Sequence, residues 1–155
     1  MFRKPVYYSF LFLIVNLFSF YFGAYAQDAP HFSSPVGTWI TISDKTHDRS
    51  GMVEIYERNG KLSGKIIKIF PGADRDPAEL CVKCSGALKN KPVLGLTFLT
   101  DFVPGKEGVW EKGLILDPHN GKIYKATMEL TDAGKTLKLR GYWGIFWRTQ
   151  TWLRA

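Results

Sequence analysis

From Tyr124 to Leu130 apolar and polar residues alternate without a break. Tyr124, Ala126, Met128 and Leu130 fall on one phase, and Lys125, Thr127 and Glu129 on the other. Successive side chains of an extended chain point to opposite faces, so the pattern predicts a strand with one face on a core and one in water. Leu137 and Leu139 against Lys138 and Arg140 repeat it. Strands are predicted over 36–43, 51–58, 61–70, 93–102, 109–117, 122–131, 136–142 and 149–154, divided by glycine-containing turns. Asn59-Gly60 predicts a two-residue type I′ hairpin, because both residues tolerate positive φ. Asp117-Pro118-His119-Asn120-Gly121 and Asp132-Ala133-Gly134-Lys135 read as the next turns. Ile66-Ile67 and Ile69-Phe70 are apolar on both phases, which predicts a strand covered on each side. Residues 71–91 have no period and read as a long loop, with room for a helical turn at 77–80. Eight strands without a long helix predict an all-β fold, either an antiparallel up-and-down barrel or a tight sandwich, and the barrel is favoured because closure removes exposed edges.

The N-terminal pattern differs. Arg3 and Lys4 precede an apolar stretch over 10–22, and Ala24-Tyr25-Ala26 follows it. That order is the secretory signal pattern. The expected organisation is a signal peptide over 1–26, a polar linker over 27–35 and one barrel domain over 36–155. An uncleaved anchor is the alternative, because 6–26 just reaches spanning length; the small residues favour cleavage near Ala26. The working protein is then exported, either periplasmic or secreted. Of 155 residues, 129 follow Ala26, enough for a single domain with a real core. Loss of Arg3 and Lys4 lowers the formal net charge from +7 to +5. The remaining cations are spaced singly (Lys61, Lys65, Lys68, Lys122, Lys125, Lys138), which describes a solvated surface and not a nucleic-acid patch.

Gly37-Thr38-Trp39 near the start, with Trp152 and Arg154 on the last strand, resembles the lipocalin-like arrangement. That resemblance implies an arginine packed on the first-strand indole, sealing one end of the barrel. More of the chain is similar to the exported bacterial family known as domain of unknown function 2147. The similarity runs through Val36-Gly37-Thr38-Trp39, Gly64-Lys65-Ile66, Asp76-Pro77 with Cys81-x-x-Cys84, and Gly113-Leu114-Ile115-Leu116-Asp117-Pro118. It continues through Gly121-Lys122-Ile123-Tyr124, Leu139-Arg140-Gly141-Tyr142 and Trp152-Leu153-Arg154. What it implies is a calycin-type barrel; no activity, substrate or catalytic residue comes with it.

Cys81 and Cys84 lack the strand–helix setting of a thioredoxin-like pair, and a structural zinc site needs about four ligands. In an oxidising compartment they read most simply as a disulfide, with an exposed redox switch or a metal contact as alternatives. Asp74, Asp76 and Glu79 do not follow a calcium-loop spacing and read as a solvated loop. Asp117/His119 and Asp44/His47 sit in turns, where such residues commonly make local hydrogen bonds. No nucleophile elbow or zinc-protease motif occurs in the sequence, and neither metal nor cofactor is expected. All five tryptophans (Trp39, Trp110, Trp143, Trp147, Trp152) follow the leader. The segment 142–148, Tyr-Trp-Gly-Ile-Phe-Trp-Arg, is unusual for a connection, which is normally polar. It should either fold over the barrel mouth or meet a partner.

The expected function is binding of a small apolar or amphipathic molecule within the barrel. Tyr124, Met128, Leu137, Leu139, Trp143, Phe146 and Trp147 would form the pocket, Arg140 a polar anchor if it points inward, and Gly37, Trp39, Trp152 and Arg154 the closed end. The alternatives are a filled barrel serving as an envelope interaction module, an outer-membrane barrel, and an enzyme using Asp117, His119 and Tyr124 at the mouth. No nucleic-acid partner and no stable membrane insertion are expected.

Overall fold

The computed structural model describes residues 33–72 and 76–155. The predicted leader, most of the linker and Asp74 lie outside the described residues. Eight strands follow one another: β1 (Gly37–Ile42), β2 (Arg49–Arg58), β3 (Lys61–Ile69), β4 (Thr97–Pro104), β5 (Val109–Asp117), β6 (Lys122–Thr131), β7 (Thr136–Trp143) and β8 (Phe146–Arg154). Each pairs antiparallel with the next and β8 returns to β1, so the sheet is a closed barrel. The seam is short: Trp39 opposes Arg154 and Ile40 opposes Leu153.

Directly opposed residues share a face. One inward ring runs Gly37, Ile55, Gly64, Leu99, Ile115 and Tyr124 across consecutive strands. Another joins Trp110, Met128 and Leu139, and Leu137 stands opposite Trp152. Ile55, Leu99, Met128, Leu137 and Trp152 are fully buried and form the core with Trp39 and Phe102. The outer wall carries exposed ion pairs, Lys65 with Glu54 and Lys61 with Asp101, each at 2.8 Å. A barrel that spans a bilayer needs a continuous apolar band there instead.

Four expectations from the sequence are corrected. Strand β3 is not covered on both sides, because Met52 opposes Lys68 and Val53 opposes Ile66, leaving Ile67 as the extra residue of a bulge. The bulge turns both Ile66 and Ile69 inward and leaves Ile67 39% exposed. Strand β4 starts at Thr97 and not at 93; Gly95 at φ 86 breaks the extended run, while Val93 and Leu96 are buried as loop anchors. Strand β8 starts at Phe146 and not at 149, because the aromatics pair across β7 and β8, Tyr142 with Trp147 and Trp143 with Phe146. In the long loop the short helix forms at Gly86–Leu88, whereas 77–80 makes only a turn closed by Glu79 N donating to Asp76 O at 2.9 Å.

Antiparallel order sorts the connections into two ends. The β1–β2 loop, the 70–96 loop, the β5–β6 turn and the β7–β8 turn lie at one end, the mouth. The other end holds the β2–β3, β4–β5 and β6–β7 turns, residues 33–36 and the C terminus. Asn59 and Gly60, at φ 53 and 74, form the two-residue β2–β3 turn in the type I′ manner.

Candidate functional site

The closed end is built around Arg154. Its guanidinium carbon lies 4.3 Å from the Trp39 ring centroid. Nε donates to Gly134 O at 2.8 Å, and the terminal nitrogens donate to Val36 O at 3.1 Å and Ser34 O at 2.8 Å. Burial pushes its pKa below the ordinary arginine value, but a guanidinium stays charged. Trp39 Nε1 donates to Pro35 O at 2.8 Å. Gly37 belongs to this end because a Cβ there would stand 3.0 Å from Arg154. Trp152 is 1% exposed and packs on Phe98 with ring centroids 6.3 Å apart. Its Nε1 is the one buried side-chain donor without a partner among the described residues.

Above that floor the barrel is solid. A Cβ on Gly113 would run into the Phe102 ring, and one on Gly64 would lie 2.8 Å from Leu99. Those two glycines make room for the larger side chains that fill this level. Met128, Leu137 and Leu139, predicted as pocket walls, are packed core at the same level.

The mouth differs. A Cβ on Gly141 would meet only Ile115 Cδ1, at an ordinary 3.4 Å. The face shared with Gly141 carries Ile115, Tyr124 and Trp143, and β8 adds Phe146, Arg148 and Gln150 to it. Trp143 stacks on Phe146 with centroids 6.4 Å apart and meets Tyr124 edge-on at 6.4 Å. Asp44 in the β1–β2 loop pairs with Arg148 and accepts from Gln150 Nε2 at 3.2 Å. Asn120 Nδ2 donates both to Asp117 Oδ2 at 2.8 Å and to Tyr124 Oη at 3.0 Å. The mouth is therefore a half-exposed aromatic cup with a charged rim.

The long loop is fastened at two places at this end. Gly95 N donates to Ile66 O at 2.7 Å, which fastens it to β3. On the far side Cys81 Sγ lies 3.5 Å from Pro118 O, and a Cβ on Gly121 would collide with Lys83 O. Cys81 and Cys84 are buried and joined in a disulfide, with Cα atoms 5.3 Å apart.

Several predicted site residues stand elsewhere. Arg140 points outward, its Nε donating to Thr149 Oγ1 at 2.9 Å, because it shares the outer phase with Thr127. Trp147 opposes Tyr142 on the outer wall and lines no lumen. The segment 142–148 is a paired hairpin that projects from the mouth: Ile145 is 83% exposed, Trp147 61% and Phe146 60%. His119 Nα donates to Asp117 Oδ1 at 2.9 Å, so these two residues shape the turn. The sequence assigns Ile115, Gly141, Arg148 and Gln150 no place in the site and Asp44 only a role in a turn. Arg148 and Gln150 share the period-two phase of Trp152 and Arg154, a signal hidden by starting the last strand at 149. Among the described residues, no group of three His, Cys, Asp or Glu side chains is placed to hold a metal ion.

A solved structure described as "Protein HP1028 from the human pathogen Helicobacter pylori belongs to the lipocalin family" resembles this barrel with a TM-score of 0.67 at 23% identity. The match covers 80% of this chain and 84% of that one, and it shows a shared fold. No curated protein matches the chain. The family model described as "Uncharacterized protein conserved in bacteria (DUF2147)" matches residues 37–154. The chain belongs to that family, as a lipocalin-like, eight-stranded member of it.

Proposed function

We propose that the barrel of an exported protein, cleaved near Ala26, binds one small amphipathic molecule at its mouth. The observation that carries this is the contrast between glycine levels: a Cβ on Gly64 or Gly113 would run into Leu99 or Phe102, whereas one on Gly141 would touch only Ile115 Cδ1, at an ordinary 3.4 Å. An eight-stranded barrel has an interior that side chains fill or that holds one small ligand, and here the filling stops below the cup. Tyr124, Trp143 and Phe146 offer apolar faces, and the Asp44–Arg148–Gln150 rim offers polar partners to a head group. The ligand is short, because Met128 and Leu139 close the floor. The second reading, a filled barrel acting as a protein-interaction module, draws on the exposed hairpin.

Native mass spectrometry of protein from its own host separates the two. The expected spectrum shows an additional small mass that Gly141→Leu removes while the fold is retained. A bare chain mass from the host, unchanged by Gly141→Leu, sinks the ligand reading and leaves the interaction module.

A further inference from the structure

The β7–β8 hairpin and the wall behind it are layered by chemistry. At the tip stand Ile145, Phe146 and Trp143, with Ile123 of β6 also 63% exposed at this end. One step back on the outer face, Trp147 opposes Tyr142, and Tyr142 opposes Lys125. Behind these aromatics lies a shallow depression of about 410 Å³ lined by Lys112, Leu114, Lys125, Ala126, Thr127 and Tyr142. Lys112 reaches it from a bulge between Trp110 and Gly113, at φ 59, a conformation uncommon for a residue with a side chain. Among the described residues no carboxylate pairs with Lys112 or Lys125.

We infer that this hairpin is a docking surface for an anionic lipid bilayer, with the Lys112/Lys125 depression receiving an acidic head group. The order of groups matches the order of a membrane interface. Aliphatic and phenyl groups lead, Trp and Tyr sit at head-group depth, and lysines stand where the phosphates lie. Only the hairpin tip enters the interface; the charged outer wall keeps the barrel in water. A protein partner or a second copy of this chain would bury the apolar tip equally well; the graded order of apolar tip, Tyr142/Trp147 and then Lys112/Lys125 is what favours a bilayer. The surface shares Trp143 and Phe146 with the mouth, but Ile145, Lys112 and Lys125, on which the test turns, take no part in the proposed ligand site.

The test uses the protein as it accumulates in its host. It is sedimented with vesicles of phosphatidylcholine alone and of phosphatidylcholine with phosphatidylglycerol, while tryptophan emission is followed. All five tryptophans lie between 39 and 152, so the emission reports the barrel and not the N-terminal apolar stretch. Binding to the anionic vesicles with a blue shift is expected, weakening as salt rises. Ile145→Glu, at an exposed turn that does not endanger folding, should lower the bound fraction about ten-fold. Lys112→Glu with Lys125→Glu should abolish the preference for phosphatidylglycerol. Absence of binding, or binding indifferent to both variants, overturns the inference. Self-association that Ile145→Glu abolishes, without vesicle binding, also overturns it and gives the face to a second copy.

Discussion

Single side chains show how unevenly this barrel is supported. Arg154 satisfies three backbone carbonyls and covers an indole at once. Arg154→Met should therefore lower stability by about 2 kcal/mol in urea unfolding, and Arg154→Lys should recover little, because an ammonium cannot copy the planar fork. The two indoles of the closed half differ in the same way. Trp39→Phe strands the Pro35 carbonyl, whereas Trp152→Phe removes a donor that has no partner. The first substitution should cost about 1 kcal/mol more than the second. Gly113→Ala should cost about 1–3 kcal/mol through overpacking on Phe102. Gly141→Ala should be almost neutral by the same measurement. On the outer wall, Lys61 donates to Asp101 and holds its carboxyl below the ordinary carboxylate range. A carboxyl with a depressed folded pKa stabilises above its unfolded value of about 3.9, and this is lost as pH falls through the folded value. The pair is exposed, so Asp101→Asn should lower the neutral-pH thermal midpoint slightly and leave the strongly acid midpoint unchanged.

Elements here were legible where their signals are local. Asn59-Gly60 demands positive φ at two consecutive positions, and the β2–β3 turn has it. Strict alternation from Tyr124 to Leu130 placed β6 at Lys122–Thr131. Alternation failed at Ile67 and Gly95, because a bulge or a positive-φ glycine shifts the phase and only the partner strand decides where. It failed again at 142–148, where apolar residues on both faces hid a hairpin whose turn is Gly144-Ile145, with Gly144 at φ 63. Glycine at the first central position suits a type II′ turn. The disulfide is likewise local. It closes a very short loop, so Cys81→Ser with Cys84→Ser should cost about 2 kcal/mol. Amide exchange should quicken mainly around 79–96, since Cys81 and Val93 anchor that loop in the core.

For the whole molecule the seam is the decisive contact. Seven strand pairs join neighbours in sequence, whereas β1 and β8 must meet across the full chain through only two register pairs. The Arg154 contacts reinforce that seam, so Arg154→Met should raise exchange at Ile40 and Leu153 before it does in the β2–β3 hairpin. Strand count, turn chemistry and the phases of unbroken alternating runs were settled by the order of residues alone, because each depends on neighbours within a few positions. Which end of the cylinder is full and which is open was not written there. Phe102 fills the space over Gly113, while nothing comparable covers Gly141, and that difference arises between strands distant in sequence. The outward turn of Trp147 and the joining of Asp44 to Arg148 follow from register, which is fixed only when the sheet closes.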